Sequence, residues 1–247
     1  DQGWGRYQTL RLRVLRWLAT VTAKRAARVI FVSRDSAAWM GDAAKVPPDR
    51  RAVIHHGVDL TAWARALEGV PRTGSTGILA LSSVYRYKNI VRLVEAYCEL
   101  GKRMTDLPPL TIVGDEQDAK HLGEIRRAIE GAGEVGARIR LVGEVPYEEI
   151  SSYYGDARLF VFPSYLETFG HPLLEALAAE LPVAASDMPV FREIAGAAAV
   201  YADPFDVDAM AHAMEQVLGD ESLATRLSGL ARERAEAFTW ASAASRV

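Results

Sequence analysis

From Ile78 to the end of the chain, short apolar segments alternate with amphipathic segments. Each apolar segment has the length of a buried strand, and each following segment repeats its apolar residues at helical spacing. The predicted strands lie at 78–81, 110–113, 139–142, 159–162, 183–185 and near 200. This alternation is typical of a Rossmann-like α/β fold, an open parallel sheet with helices on both faces. Ligands of such sheets bind beyond the carboxyl ends of the strands, so the loops that leave those ends are candidate sites.

The N-terminal part shows a different pattern. It predicts a helix from about residue 9 to 27, a strand at 29–32, a helix that begins after Ser33, and a strand at 52–54. The first helix has an apolar face and a basic face, and no acidic residue occurs from 2 to 34. We expect the apolar face to dock inside a domain, which leaves the basic face free to meet lipid or an anionic acceptor. The alternative is that the helix lies on an anionic membrane surface.

Composition narrows the class of protein. Of 247 residues, 49% are apolar and 25% are charged, which is typical of a globular protein, and the net charge of -3 gives no indication of nucleic-acid binding. The single cysteine, Cys98, cannot form an internal disulfide and suits a reducing compartment, and we expect it in the core. No run of about 20 apolar residues predicts a membrane span. We therefore expect a cytoplasmic protein, with peripheral contact to the inner face of the membrane as an option. Because the chain starts without Met inside a predicted helix, we also expect it to be a fragment.

The segment 164–176 carries the strongest indication of a binding site. Glu167 and Glu175, with seven residues between them, frame a turn at Gly170 directly after an apolar strand. Pro172 is predicted as the first residue of the following helix. The first N–H groups of that helix can bind an anion, and the helix dipole favours negative charge there. Carboxylates beside an anion site make sense if they accept hydrogen bonds from hydroxyl groups, so the predicted ligand is a phosphate linked to sugar rings.

Four further residues end predicted strands or follow them. Lys88 and Arg86 lie after the strand at 78–81, where each could bind a phosphate or remain a solvated surface cation. Gly114 and Gly143 each end an apolar strand. They are either simple turn glycines or positions where the backbone lets a nucleotide lie flat across the strand ends.

Other candidate residues favour less specific interpretations. Asp206 and Asp208 could belong to a metal site, but Asp206 stands where a helix cap is expected, and we predict no metal. His55, His56 and His171 could act in acid–base chemistry, although their spacing predicts no particular role. The absence of a Gly-x-Gly-x-x-Gly motif weighs against a dehydrogenase.

The residues Ser-x-x-Glu-Thr-Phe-Gly-x-Pro-x-x-Glu-Ala at 164–176, followed by Leu181-Pro182-Val183, resemble the signature of glycosyltransferase family 4. This family comprises retaining glycosyltransferases of the two-domain GT-B type. Further similar pieces occur in family order, and the resemblance covers 29–238. They are 53–59 as the interdomain crossing, 87–89 as the donor-phosphate loop, and 112–114 and 141–145 as the strands under the nucleoside.

The resemblance implies both an organisation and a reaction. Residues 1–57 would be a remnant of an N-terminal Rossmann-like acceptor-binding domain, 58–76 an interdomain linker, and 77–247 the C-terminal donor-binding domain. The implied reaction moves a hexose from a UDP-, GDP- or ADP-linked sugar to a glycan, a lipid-linked saccharide or a small molecule. It retains the anomeric configuration and uses no metal or other cofactor.

The resemblance also implies roles for single residues. The implied catalytic residues are Glu167, which would hold hydroxyls of the transferred sugar, and Lys88 and Arg86, which would neutralise the departing diphosphate. Glu175 would accept hydrogen bonds from the ribose. Backbone amides of 169–174 would meet the sugar and the diphosphate. The other implied donor-binding residues are Gly57, Ser83, Gly114, Val142, Gly143, Glu144, Thr168, Phe169, Gly170, His171, Pro172, Leu173 and Leu174.

Two departures from the family pattern affect the expected activity. The family usually has an arginine upstream of the lysine where this chain has Ser82 and Ser83. Most of the acceptor-binding domain is also missing, so we expect the chain to bind a donor but to turn it over poorly. The alternative functions are a non-catalytic nucleotide-sugar-binding subunit of a heteromeric transferase, and an epimerase or phosphorylase on the same fold. No lysine that would bind the pyridoxal group of a phosphorylase is identifiable.

Overall fold

The structure is a computed structural model that describes residues 6–68, 77–115 and 118–246, with the backbone alone for 6–10 and 12. The N-terminal elements are α1 (Arg6–Arg25), β1 (Val29–Phe31), α2 (Arg34–Ala43), β2 (Arg51–Val53) and α3 (Leu60–Ala66). The remaining elements are β3 (Gly77–Leu81), α4 (Ile90–Arg103), β4 (Leu110–Val113), α5 (Ala119–Gly131), α6 (Gly133–Gly136), β5 (Ile139–Gly143), α7 (Tyr147–Asp156), β6 (Ala157–Phe162), α8 (His171–Ala178), β7 (Val183–Ser186), α9 (Pro189–Ala195), β8 (Ala199–Ala202), α10 (Val207–Gly219), α11 (Glu221–Glu236) and α12 (Trp240–Ala244).

Within the described residues, the C-terminal strands form a six-stranded parallel sheet, the large sheet, in the order β5-β4-β3-β6-β7-β8. This confirms the predicted α/β fold. From β3, the strands β4 and β5 follow towards one edge of the sheet, and from β6, the strands β7 and β8 follow towards the other edge. The direction of strand addition therefore reverses between the neighbours β3 and β6. Loops diverge at such a switch point and leave a crevice there, where ligands of open α/β sheets bind. The loops after β3 and β6 carry Lys88 and Glu167.

Both faces of the large sheet are covered by helices. Along β6, Phe160 and Phe162 belong to one apolar cluster, and Leu159 and Val161 belong to the other. Successive residues of a strand point to opposite faces, so this alternation shows that β6 has a core on each side. It also explains why the strand reads as a continuous apolar run in the sequence.

The range 58–76, predicted as an interdomain linker, contains the helix α3. Asp59 caps α3 by accepting a hydrogen bond from the backbone N–H of Ala62 at 2.9 Å. Trp63 packs into the core of the large sheet, and the N–H of Val58 donates to the carbonyl of Phe238 at 2.8 Å. The first part of this range is therefore a packed element of the C-terminal domain. The glycine-rich stretch 69–76 lies outside the described residues.

The N-terminal strands β1 and β2 pair in parallel as a two-stranded sheet within the described residues, the small sheet. The apolar face of α1 is not docked in a core as expected, because Val14 and Trp17 on this face keep 48% and 63% of their surface exposed. Ile30 of β1 is 52% exposed. Among the helices of residues 6–68, 77–115 and 118–246, none combines the length and apolarity that a bilayer span requires.

Local predictions at several helix starts can be compared with the structure. Asp206 caps α10 by accepting from the N–H of Ala209 at 2.9 Å, as predicted, and Asp208 pairs with Arg103 at 2.6 Å. Pro172 is the second residue of α8, one position later than predicted. Cys98 is half-buried on α4, where burial raises the pKa of its thiol above the ordinary value.

Candidate functional site

The loops after β3 and β6 bring together a cation and a carboxylate that are far apart in sequence. Lys88 ends a 3-10 turn (Arg86–Lys88), and Glu167 lies between β6 and α8. The Nζ of Lys88 pairs with Oε1 of Glu167, and the two side chains are only 12% and 13% exposed. Their contact follows from the neighbouring positions of β3 and β6 in the large sheet. The site therefore has a shielded ion pair at the switch point.

Asn89 fixes the position of the loop that carries Lys88. Its backbone is left-handed, with φ 64°, and its side-chain amide donates to the carbonyls of Pro163 at 3.1 Å and Pro204 at 2.7 Å. These hydrogen bonds tie the loop after β3 to the loops after β6 and β8. No separate role was predicted for Asn89. A signal was present, because asparagine tolerates the left-handed conformation that a sharp turn before a helix can require.

Arg86 does not join the Lys88–Glu167 pair. Its Nη2 lies 2.6 Å from Oε1 of Glu124 on α5, and Oε2 of Glu124 lies 2.9 Å from Nδ1 of His121. The hydrogen bonds with His121 and Arg86 lower the pKa of Glu124 to about 2. In this structure the two cations therefore have different carboxylate partners, and the expected help of Arg86 to Lys88 stays a prediction.

Glu175, on α8, accepts hydrogen bonds from two phenols of α7. The hydroxyl of Tyr147 lies 3.2 Å from Oε1 and that of Tyr154 lies 3.1 Å from Oε2. Burial raises the pKa of Glu175, and the hydrogen bonds from Tyr154 and Tyr147 act in the opposite direction. Sequence reasoning missed both tyrosines. Their seven-residue spacing, which places them on one face of a helix, was the available signal.

The start of α8 offers fewer free amides than predicted. Gly170 caps the helix with φ 93°, a conformation that favours glycine, and its carbonyl accepts from the N–H groups of Leu173 at 3.1 Å and Leu174 at 3.3 Å. Pro172 has no N–H. Of the segment 169–174, the N–H groups of Phe169, Gly170 and His171 therefore remain as those that could meet an anion.

Close backbone contacts account for two glycines that were predicted to bind the donor. A Cβ at Gly57 would overlap the backbone of Trp240, and a Cβ at Gly114 would overlap the carbonyl of Ser82. The N–H of Gly114 also donates to the carbonyl of Gly143 at 2.9 Å. These contacts require glycine at 57 and 114 whether or not a ligand binds.

The other predicted donor-binding residues lie at strand ends or in the loop before α8. Ser83 follows β3 and is half-buried, Val142 is near the end of β5, and Glu144 is exposed just after it. Thr168 is exposed, and its carbonyl accepts from the hydroxyl of Ser33 at 2.7 Å. Thr168 thus connects the loop after β6 to the start of α2.

A cavity of about 580 Å³ lies beside Glu175, between α3, α7, α8 and α12. Its lining is mostly apolar, with polar side chains from the start of α3, from α7 and from α8. The lining includes Gly57, Trp63, Tyr147, His171, Leu174, Glu175 and Trp240. We call this space the α7–α8 cavity. Its volume is within the range of small-molecule sites, and Gly57, His171, Leu174 and Glu175 of the predicted set line it.

The three histidines lie where the small and large sheets meet. Nε2 of His55 is 2.6 Å from Oε1 of Glu193, and the rings of His56 and His171 are 4.5 Å apart between centroids. Burial lowers the pKa of His56, and burial together with the neighbouring His56 lowers the pKa of His171. Among the described residues, no three His, Cys, Asp or Glu side chains are grouped to hold a metal ion.

The parallel sheet and its strand order are those of a Rossmann-like domain, and solved GT-B glycosyltransferases share this fold. Sucrose-phosphate synthase from Thermosynechococcus elongatus has a similar structure, with TM-score 0.78 and 27% identity over 94% of this chain and 60% of that one. Anabaena HepE in complex with UDP-glucose superposes with TM-score 0.79 at 17% identity, over 93% of this chain and 65% of that one.

Family models identify the chain more specifically. Residues 69–234 match the model described as Glycosyl transferases group 1, and residues 1–62 match that of Glycosyltransferase Family 4. The chain belongs to the glycosyl transferases group 1 family. It is 31% identical over 192 residues to a phosphatidyl-myo-inositol mannosyltransferase of Mycolicibacterium smegmatis, which covers 76% of this chain and 48% of that relative. The chain spans between 20% and 54% of the length of other curated relatives that it matches.

Proposed function

We propose that this chain binds a nucleotide-diphosphate sugar and forms the donor side of a retaining hexosyl transfer. The observation that carries the proposal is the shielded Lys88–Glu167 pair. Its carboxylate lies in the loop that leads to α8, the helix that bears Glu175. A phosphate and its sugar would meet a cation and a hydroxyl acceptor at this place. Similar proteins support the reaction class, since one relative is a mannosyltransferase and a structure of the same fold holds UDP-glucose.

On binding, each charged side chain would exchange its present partner in the protein for a chemically similar group of the nucleotide sugar. Lys88 would release Glu167 and pair with the diphosphate, while Glu167 would accept hydrogen bonds from the hydroxyls of the hexose. Glu175 would accept hydrogen bonds from the ribose. A half-buried carboxylate that already accepts from phenols suits this role, because a charge partly shielded from water needs hydrogen-bond donors around it.

The proposed transfer breaks the bond between the anomeric carbon and the diphosphate oxygen. The electron pair stays on the diphosphate, where Lys88 and the N–H groups at the start of α8 would stabilise the charge. The acceptor hydroxyl forms the new bond on the same face of the sugar, and its proton can pass to the departing diphosphate. The step as proposed needs no metal or other cofactor.

We also propose a cytoplasmic site of action with peripheral membrane contact, and a glycan, lipid-linked saccharide or small molecule as acceptor. Support for membrane contact comes from α1, where Arg11, Arg13 and Arg16 are exposed together with the apolar Trp17. Anionic lipid attracts such arginines, and indole rings favour the membrane interface. Sedimentation with phosphatidylglycerol vesicles, compared with neutral vesicles, tests this part of the proposal.

A second candidate function is a non-catalytic nucleotide-sugar-binding subunit. The pairing of Arg86 with Glu124 favours it, because Arg86 is then engaged elsewhere and does not stand beside Lys88 as a second cation for the departing diphosphate. Protein that binds donor sugar but neither transfers nor hydrolyses it, when supplied with acceptor and with the intact partner domain, would support this function over the first.

Isothermal titration with UDP, GDP and ADP, and then with their sugars, tests the main proposal. We expect binding of at least one nucleotide, a large loss of affinity in Glu175→Ala, and no change in the control Glu149→Ala, an exposed carboxylate of α7 outside the cavity lining. Absence of binding to all three nucleotides, or unchanged binding in Glu175→Ala, would overturn the proposal. We expect slow transfer by this chain alone, and rapid turnover would contradict that part.

A further inference from the structure

The two phenols that donate to Glu175 are held very differently. Tyr154 is fully buried, and its ring contacts Trp63 and Phe160 at centroid distances of 5.2 and 5.5 Å. Its hydroxyl also lies 3.0 Å from the carbonyl of Pro172. Tyr147 is 67% exposed at the first position of α7, and its hydroxyl contacts Glu175 at the longer distance of 3.2 Å. Tyr154 is therefore a fixed support of the carboxylate, whereas Tyr147 can leave it at little cost in packing.

The ring of Tyr147 forms part of the wall of the α7–α8 cavity. A ligand in that cavity that brings a pair of hydroxyl groups to Glu175 competes with the phenol of Tyr147 for the lone pairs of Oε1, since Oε2 already accepts from the buried Tyr154. Displacement costs one exposed hydrogen bond, and a vicinal diol replaces it with bonds to the same half-buried carboxylate. The freed aromatic ring then remains at the rim of the cavity, where it can cover a planar group.

We propose that Tyr147 is an exchangeable partner of Glu175, which the ribose of the nucleotide displaces so that the tyrosine ring stacks on the nucleobase. The inference rests on the proposed function and adds a residue that positions and partly selects the donor. Stacking tolerates every base, because each base has an aromatic face. Tyr147 would therefore raise affinity for nucleotides generally and would distinguish them from ligands that lack a base or a diol.

Nucleotide affinities of matched tyrosine variants test the exchange. We expect Tyr147→Phe to bind the nucleotide about two- to tenfold more tightly, because it keeps the ring and removes the hydrogen bond that must be broken. Tyr147→Ala should bind roughly tenfold or more weakly, because the stacking ring is lost. The control Tyr153→Phe, on the same helix but outside the cavity lining, should match the original protein. The probe is whichever of UDP, GDP and ADP binds most tightly.

A 2′-deoxy analogue of the same nucleotide separates exchange from general effects on the site. Without the complete diol, the phenol is displaced less fully, so the gain in Tyr147→Phe should shrink or disappear. Tyr147 is exposed on a helix surface, and circular dichroism with thermal unfolding will show that both variants remain folded.

The possible results lead to different conclusions. If Tyr147→Phe weakens binding as much as Tyr147→Ala, the phenol is a permanent support of Glu175 and the exchange is refuted. If both variants bind like the original protein, Tyr147 has no part in donor binding. If nucleotides bind and Glu175→Ala abolishes binding in either of these cases, the proposed function stands and only this inference fails. If the original protein binds no nucleotide, both fail.

Discussion

The large and small sheets are built from the same parts, parallel strands with connecting helices, but only the large sheet is closed off from solvent. Phe160 in the large sheet is fully buried between covered faces, whereas Ile30 in the small sheet is 52% exposed. A sheet of so few strands buries too little apolar surface to be stable by itself. The comparison shows that the same architecture does not by itself produce a closed core. A closed core also requires that both faces of the sheet are covered.

The small sheet is held by polar contacts to the C-terminal domain. The carboxylate of Glu193 on α9 accepts from the backbone N–H of Arg34 at 2.9 Å and contacts His55 at 2.6 Å. The hydroxyl of Ser33 donates to the carbonyl of Thr168, which lies next to Glu167. The same contacts that hold the small sheet therefore also connect it to the candidate site.

The largest expected effect compares equivalent core deletions in the two sheets. Phe160→Ala should lower the free energy of unfolding by about 3–5 kcal/mol, the usual loss for a phenylalanine in a closed core. Phe31→Ala should cost less than half as much, because the core around it is small and open on one side. Urea denaturation measures both losses. Equal losses would show that the small sheet is packed as well as the large one.

Loss of Glu193 should release the small sheet from the large one. Glu193→Ala removes the acceptor at the start of α2 and the partner of His55, and we expect a loss of about 1–3 kcal/mol. Hydrogen exchange should become faster in α2 and β1 and stay unchanged in the central strands β3 and β6. Glu233→Ala, an exposed carboxylate of α11, is the control. Uniformly faster exchange would mean that the two sheets unfold as one unit.

The paired histidines at the junction predict a pH dependence. Because the pKa values of His56 and His171 are lowered in the folded protein, the unfolded chain binds more protons below the ordinary value of 6.5. Stability should therefore fall as the pH drops below that value, by at most about 1.4 kcal/mol per pH unit for each histidine. The raised pKa of Glu175 acts in the opposite direction, above the ordinary 4.5. Denaturation of His56→Asn/His171→Asn at several pH values should show a flatter profile, and an unchanged profile would exclude these histidines as the cause.

The smallest expected effect concerns Arg86. Glu124→Gln removes the charge that pairs with Arg86, so the guanidinium becomes available to a diphosphate. We expect nucleotide-diphosphate affinity to rise by at most about fivefold, because Arg86 is partly exposed and its charge is screened. Titration at low and high salt, with the exposed Glu130→Gln on the same helix as control, measures this. A loss of affinity would show that Glu124 itself supports the site.

Features that depend on local interactions could be predicted from the sequence. The strands of the large sheet follow from short apolar runs, and the Asp206 cap follows from the preference of aspartate for that position. Gly170, between Glu167 and Glu175, indicated the turn before α8, because glycine favours the backbone conformation of such a turn. The helix α3 was missed because its seven residues carry too short a periodic pattern to separate from a linker.

The sequence by itself determined the α/β fold, the strand–helix order and the segment of the candidate site, because apolar runs and helix caps are read from neighbouring residues. Only the tertiary structure decided the partners within the site. In the structure Lys88 pairs with Glu167, and Arg86 pairs with Glu124. The hydroxyls of Tyr147 and Tyr154 donate to Glu175. These pairs join separate loops and helices, so they depend on the order of strands in the sheet, which local preferences do not encode.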